Sequence, residues 1–303
     1  MNYFGTIKNA LHDLIPGLMA HYNVDLETAL KMVQTHLGNM SKEWFSGENP
    51  TIAYGDPLCR FAYLYCHTAA NANMCETFIR NHAPTVAHIV SRLNDQEEIK
   101  VCAFGGGPGT ELLALAKLLE RLHGEETLNG HGDINFTLID NVPEWAESWQ
   151  ALDESIRTDF KNEYGKRSQW PFTVSKSFQP IDMTKVERYA NLVQLFEHDL
   201  YILNFVISEI MVERDALERL IRSMVGHAPQ GARFVFIDRN QMDVSSYTLD
   251  LIGRLGLMTE LNTTLQTNMD GDEQCSELNE FKPANGRSPR VTWNAFCLIG
   301  VKP

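Results

Sequence analysis

Several residues in this chain have the types and spacing that ligand chemistry requires. Phe104-Gly105-Gly106-Gly107-Pro108-Gly109-Thr110 follows an apolar stretch and precedes Leu112-Leu113-Ala114-Leu115-Ala116. A turn so poor in side chains lets a ligand lie against bare backbone. Two acids follow later apolar stretches: Asp140, with Asn141 beside it, and Asp182, with Met183 beside it. An ionised carboxylate at the first position can accept from both hydroxyls of a ribose. An acid next to an apolar residue can accept from an exocyclic amine while its neighbour packs on a ring. Asn204-Phe205 ends a fourth apolar stretch and Glu209 follows, which puts polar groups near a reacting centre. Spacing narrows the ligand. A dinucleotide turn needs G-x-G-x-x-G, and Thr110 occupies the third position; the fit is G-x-G-x-G, at Gly105, Gly107 and Gly109.

The elements that must position these groups are short strands alternating with helices. Strands are predicted at 101–104, 134–139, 172–177, 200–206 and 232–237, with helices at 110–122, 144–157, 213–225 and 245–255. Strands at 258–267 and 291–301 form a final pair, joined by an exposed loop over 268–290. Apolar runs without polar alternation suit parallel strands buried on both faces. Ligands of such sheets bind at the carboxyl ends of the strands. Residues 1–98 read as helical. Leu11, Leu14, Ile15, Leu18 and Met19 make one apolar face; Leu26, Leu30, Val33 and Leu37 make another, stopped by Gly38-Asn39. Residues 47–57 read as a loop, 58–79 as one aromatic helix, and a further helix follows Ala83-Pro84. This region is expected to cap the site and shape the substrate pocket, leaving 99–303 as the ligand-binding domain.

The order of glycine turn, acid, acid–apolar pair and polar strand end, each closing a successive β element, resembles the class I S-adenosylmethionine-dependent methyltransferases over residues 95–303. The resemblance implies a Rossmann-like α/β fold, doubly wound, with a mostly parallel seven-stranded sheet and an antiparallel last strand, here preceded by the helical cap. It implies S-adenosyl-L-methionine as cofactor. Phe104, Gly105, Gly106, Gly107, Gly109 and Thr110 would lie toward its methionine side, Asp140 and Asn141 at the ribose, and Asp182-Met183 at the adenine. Asn204 and Phe205 would line the methionine and sulfonium end. The family often has an acid two residues before the first glycine, where this chain has Ala103. Asn204, Glu209 and Tyr65 are the candidate catalytic residues. Tyr54 and Tyr63 join Tyr65 as aromatic faces for a cation. Glu209, Asp238 and His67 are candidate bases, and Arg60 is a candidate partner for the cofactor carboxylate.

Composition limits the acceptor. A net charge of −13 repels phosphate backbones and argues against nucleic acid, the small basic cluster of Arg157, Lys161, Lys166 and Arg167 notwithstanding. The expected acceptor is a small molecule or a protein side chain. No apolar run approaches the ~20 residues of a membrane span. The first residues do not read as a signal peptide. Six cysteines without a C-x-x-C pair read as reduced thiols of a cytoplasmic or nuclear protein, and Cys59, Cys66, His67 and Cys75 match no zinc spacing. The alternatives are a nicotinamide-nucleotide-linked oxidoreductase and a non-catalytic module that keeps the fold.

Overall fold

In the computed structural model the unbroken apolar runs become the centre of a sheet; the structure describes residues 1–45, 52–128, 132–164, 173–189, 196–269 and 275–303. Five helices come first: α1 (Tyr3–Tyr22), α2 (Leu26–Phe45), α3 (Pro57–Cys66), α4 (Thr68–Arg80) and α5 (Ala83–Asn94). Strands and helices then alternate as β1 (Glu98–Phe104), α6 (Thr110–Gly124), β2 (Asp133–Asp140), α7 (Trp145–Tyr164), β3 (Thr173–Pro180), α8 (Val186–Tyr189), β4 (Leu200–Asn204), α9 (Ile207–Ile210), α10 (Arg214–His227), β5 (Arg233–Arg239), α11 (Met242–Arg254), β6 (Met258–Asn268) and β7 (Thr292–Val301). The expected doubly wound α/β architecture is therefore present.

The seven strands lie in the order β3-β2-β1-β4-β5-β7-β6. The first five are parallel; β7 runs antiparallel to β5, and β6 antiparallel to β7. The winding reverses between β1 and β4, so the loops leaving those two strands part and open a crevice at their carboxyl ends. Period-two alternation divides the inner strands between two cores. Val101 and Ala103 of β1 face a core shared with α6, α7 and the N-terminal helices, through Phe4, Leu64, Phe78 and Leu113. Cys102 and Phe104 face the other, with Leu220, Phe234 and Leu251. The helices of residues 1–98 thus pack on one sheet face as part of a continuous core.

Several boundaries differ from expectation, for local reasons. α2 runs through Gly38-Asn39 because Met40, 2% exposed, extends its buried face. That burial outweighs the roughly 1 kcal/mol that glycine costs a helix. Residues 58–79 form two helices, broken at His67, because α3 packs on α2 while α4 turns onto α6. β4 stops at Asn204, since Phe205 adopts φ +60°, outside any strand conformation. The 268–290 stretch is not simply an exposed loop: a 3₁₀ turn at Cys275–Phe281 buries Leu278 and Phe281, the latter against the rings of Phe61 and His12. Phe172, Lys166 and Arg167 lie outside the described residues, and Arg157 pairs with Asp153.

Candidate active site

The glycine turn is dictated by its neighbours. Gly105 has φ +60°, and a Cβ there would stand 2.7 Å from a methyl of Val206; Gly109 has φ +94° and abuts the Trp149 ring. The turn is tied to β2 by backbone: Gly105 N–H donates to the Ile139 carbonyl at 2.8 Å, and Gly107 N–H to Asp140 Oδ2 at 3.0 Å. Asp140 Oδ1 accepts from Val142 N–H at 2.9 Å. The carboxyl is therefore aimed by two backbone donors, each oxygen keeping capacity for another. Burial pushes its pKa up to about 6, against those donors, so it is ionised at neutral pH.

A cleft of about 230 Å³ runs from this turn across the strand ends. Asp140, Asn141, Asp182 and Met183 line one end; Asn204, Phe205 and Glu209 line the other, with Gly105 and Gly107 between. Asp182 is held in a turn, its Oδ1 accepting from Thr184 N–H at 2.9 Å and Thr184 Oγ1 at 2.7 Å. Tyr54 and Tyr63 from the N-terminal region, with Trp145 at the start of α7, add an aromatic wall whose ring centroids lie 5.3–5.9 Å apart.

Other expected residues stand elsewhere. Phe104 is buried in the second core, and Gly106, Gly109 and Thr110 support the turn from behind the lining. Tyr65 is two residues from Tyr63 and so on another side of α3; its hydroxyl donates to the Arg287 carbonyl at 2.8 Å, away from the cleft. Arg60 donates to the carbonyls of Tyr54 and Gly55 at 3.0 and 2.8 Å and pairs with Glu147. It braces the loop that carries Tyr54. Among the candidate bases, Asp238 accepts from the backbone N–H groups of Ser208 and Arg239. Burial, helped by Arg290, drives His67 down to about 3, which leaves a weak base. Glu209 is pushed up to about 8 by burial, Arg239 opposing and Asp238 and Asp140 reinforcing.

A second cavity, also about 230 Å³, shares Tyr63, Phe205 and Glu209 with the cleft. Trp293 forms its floor: Arg290 stacks over the indole at 3.8 Å, Phe205 packs on it at 4.6 Å, and the indole N–H is buried without a partner. Asn71, Gln241 and Asn294 add amides. Phe205 separates the chambers in a left-handed conformation that a bulky side chain rarely adopts.

A family model described as "Putative SAM-dependent methyltransferase" matches residues 23–249, three quarters of the chain. The chain belongs to this family. S-adenosylmethionine is accordingly its cofactor. The methyltransferase also resembles solved structures at low identity. A precorrin-6y C5,15-methyltransferase from Geobacter metallireducens is 11% identical, with TM-score 0.39, over 72% of this chain and 88% of that one. A SAM-dependent methyltransferase from Methanosarcina mazei is 10% identical, with TM-score 0.40, over 72% and 96%. Likeness at that level leaves the assignment resting on the family match and the sheet's own topology. A search of curated proteins finds no match to the chain. The nicotinamide alternative falls with the family match.

The cleft of the methyltransferase fits its cofactor. The turn leaves bare backbone where a Cβ at Gly105 would meet Val206, Asp140 is ionised and aimed, and Asn204 Oδ1 in the lining is buried without a hydrogen-bond partner. Trp145, Arg290 and Trp293 line the cavities without having been expected there. Arg290 and Trp293 carried no signal in the sequence, since they reach the site only through the β7 hairpin.

Proposed function

We propose that this methyltransferase passes a methyl group from the cofactor in the glycine-turn cleft to a nucleophile in the Trp293 chamber. The observation that carries this reading is the shared wall: Tyr63, Phe205 and Glu209 line both cavities. When bound, the cofactor supplies a methyl carbon on a sulfonium, already primed for in-line displacement. Asp140 holds the ribose hydroxyls, Asp182 and Met183 take the adenine, and the turn and Asn204 take the amino-acid end. Tyr54, Tyr63 and Trp145 present aromatic faces suited to a cation and exclude water. Glu209 faces both chambers and, once ionised, accepts the proton that the nucleophile sheds. With its pKa near 8 it is a base matched to mildly alkaline conditions.

The acceptor is a small molecule or a side chain of another protein. Support comes from the net charge of −13, which repels polyanions, and from the enclosed, aromatic- and amide-lined chamber. Residues 1–98 act as the cap over a catalytic unit of 99–303, contributing Tyr54, Tyr63, His67 and Asn71. Among the described residues no helix is long and apolar enough to cross a membrane, and six free thiols agree with a cytoplasmic or nuclear setting.

The test is transfer from methyl-labelled cofactor to cell extract separated into small-molecule, protein and nucleic-acid fractions. Label in the small-molecule or protein fraction, lost in Glu209→Gln, supports the proposal. Label confined to nucleic acid, or transfer that Glu209→Gln leaves unchanged, overturns it.

A further inference from the structure

β1 ends Cys102-Ala103-Phe104, so the strand offers no acid two residues ahead of Gly105. A negative countercharge near the turn has to come from another element, and α6 brings one. Glu111, in the first turn of that helix, is 2% exposed. Its Oε1 accepts from Asn204 Nδ2 at 2.8 Å. Its Oε2 has no partner and lies so close beneath Gly106 that a Cβ there would stand 2.8 Å from it. Asn204, 6% exposed, lines the cleft. With its amide nitrogen committed to Glu111, its Oδ1 points the other way and has no donor. Two buried polar atoms at the glycine turn thus lack partners, Asn204 Oδ1 in the cleft lining and Glu111 Oε2 beneath Gly106, and buried polar groups are nearly always paired. A compact cation with several N–H donors seated in the cleft would satisfy the first directly and draw on the charge of the second.

On the reading of the cleft given above, we propose that Asn204 Oδ1 is the direct acceptor for the α-ammonium group at the amino-acid end of the cofactor. Glu111 is the positioning residue: it turns the Asn204 oxygen toward the cleft and supplies the countercharge that Ala103 cannot. Burial holds the empty Glu111 carboxyl mostly protonated at neutral pH, pushed up to about 8, with Asp140 reinforcing. Tyr63 and Cys75 also face it. An arriving ammonium reverses that balance, and the carboxyl releases its proton as the cation seats.

Two ligands separate this seat from the rest of the cleft. S-adenosylhomocysteine carries the amino-acid end; 5′-methylthioadenosine shares its adenosine and thioether but lacks that end. Calorimetric titration of the full chain should show Glu111→Gln weakening S-adenosylhomocysteine about tenfold or more, with 5′-methylthioadenosine held within about twofold. Asn204→Ala should do the same, and the double variant should lose little beyond either single one, because the two residues act as a unit. In the wild type at pH 7, titration in buffers of different ionisation enthalpy should show S-adenosylhomocysteine releasing more protons than 5′-methylthioadenosine. Both ligands cover Asp140 through the same ribose; the excess should persist in Glu209→Gln, which removes the other raised carboxyl of the cleft, and vanish in Glu111→Gln. Equal weakening of the two ligands, unchanged affinity for S-adenosylhomocysteine, or equal proton release overturns the assignment. If neither ligand binds the wild type, the reading of the cleft falls and this proposal with it.

Discussion

The two chambers on either side of Phe205 are built from different materials. The cofactor cleft draws on strand ends in chain order, and its groups are fixed largely by backbone: Gly107 and Val142 N–H on Asp140, Thr184 N–H on Asp182, Ile139 carbonyl on Gly105. The second chamber gathers residues from α3 and α4, the loops after β4 and β5, and the start of β7. There backbone bonds anchor Arg290 to Cys66 and Phe205 to Ile237, but the side chains that form the lining are fixed by one another, Arg290 and Phe205 on Trp293, and Asn240 to Asn294 at 3.4 Å. A backbone-built site is hard to retune without breaking the turn, and it suits a ligand that never changes. A side-chain-built site can be rewritten residue by residue while the sheet stays intact, which is how one fold serves many acceptors.

That contrast can be broken by substitution. The largest effect should come from Glu209→Gln: kcat falls by about 10²-fold or more, as removal of a general base does, while S-adenosylhomocysteine affinity stays within a few-fold. In the wild type, kcat should rise as pH climbs through about 8, where the carboxyl ionises, and this limb should vanish in the variant. A rate already flat from pH 6 upward would remove Glu209 as the base. Next, Asp140→Ala should weaken S-adenosylhomocysteine by about 100-fold, from the loss of charge-assisted hydrogen bonds and of the tie to Gly107. Trp293→Ala should raise acceptor KM about tenfold with cofactor affinity barely moved. If it loosened both ligands alike, the two chambers would not be separately built.

The smallest effect is on stability. Asp140 is raised to about 6, and Glu111 and Glu209 to about 8. A carboxyl whose folded pKa lies above its unfolded value favours the fold while protonated and loses that favour as pH rises through the folded value. The ligand-free melting temperature should therefore fall by a few degrees between pH 6 and 9. Glu111→Gln should flatten part of that slope. A melting temperature that climbs over this range would contradict the sign.

How much was legible follows from the same contrast. The glycine turn, Asp140 and Asp182-Met183 announce themselves because backbone geometry restricts residue type over a short span. Asn204 and Phe205 were visible as a strand end, though not the left-handed twist at Phe205. Tyr65 was placed at the centre because an aromatic run on α3 does not say which ring faces inward; the helix rotation chose Tyr63. Arg290 and Trp293 were hidden by distance along the chain, since only the β5–β7 pairing brings them beside β4. His67, a candidate base in sequence, lines the second chamber, but burial and then Arg290 hold its imidazole well below the usual range. The continuation of α2 past Gly38-Asn39 and the 3₁₀ turn at Cys275–Phe281 were settled by tertiary burial, which no local pattern carries.

A wall common to two rooms makes their tenants aware of each other. Tyr63, Phe205 and Glu209 cannot shift for a ligand in one chamber without altering the surface met in the other. Linkage then requires reciprocity: whatever factor the cofactor contributes to acceptor affinity, the acceptor returns to the cofactor. On the proposed reading, cooperativity between donor and acceptor would pass through this partition, where Phe205 packs on Trp293 at 4.6 Å.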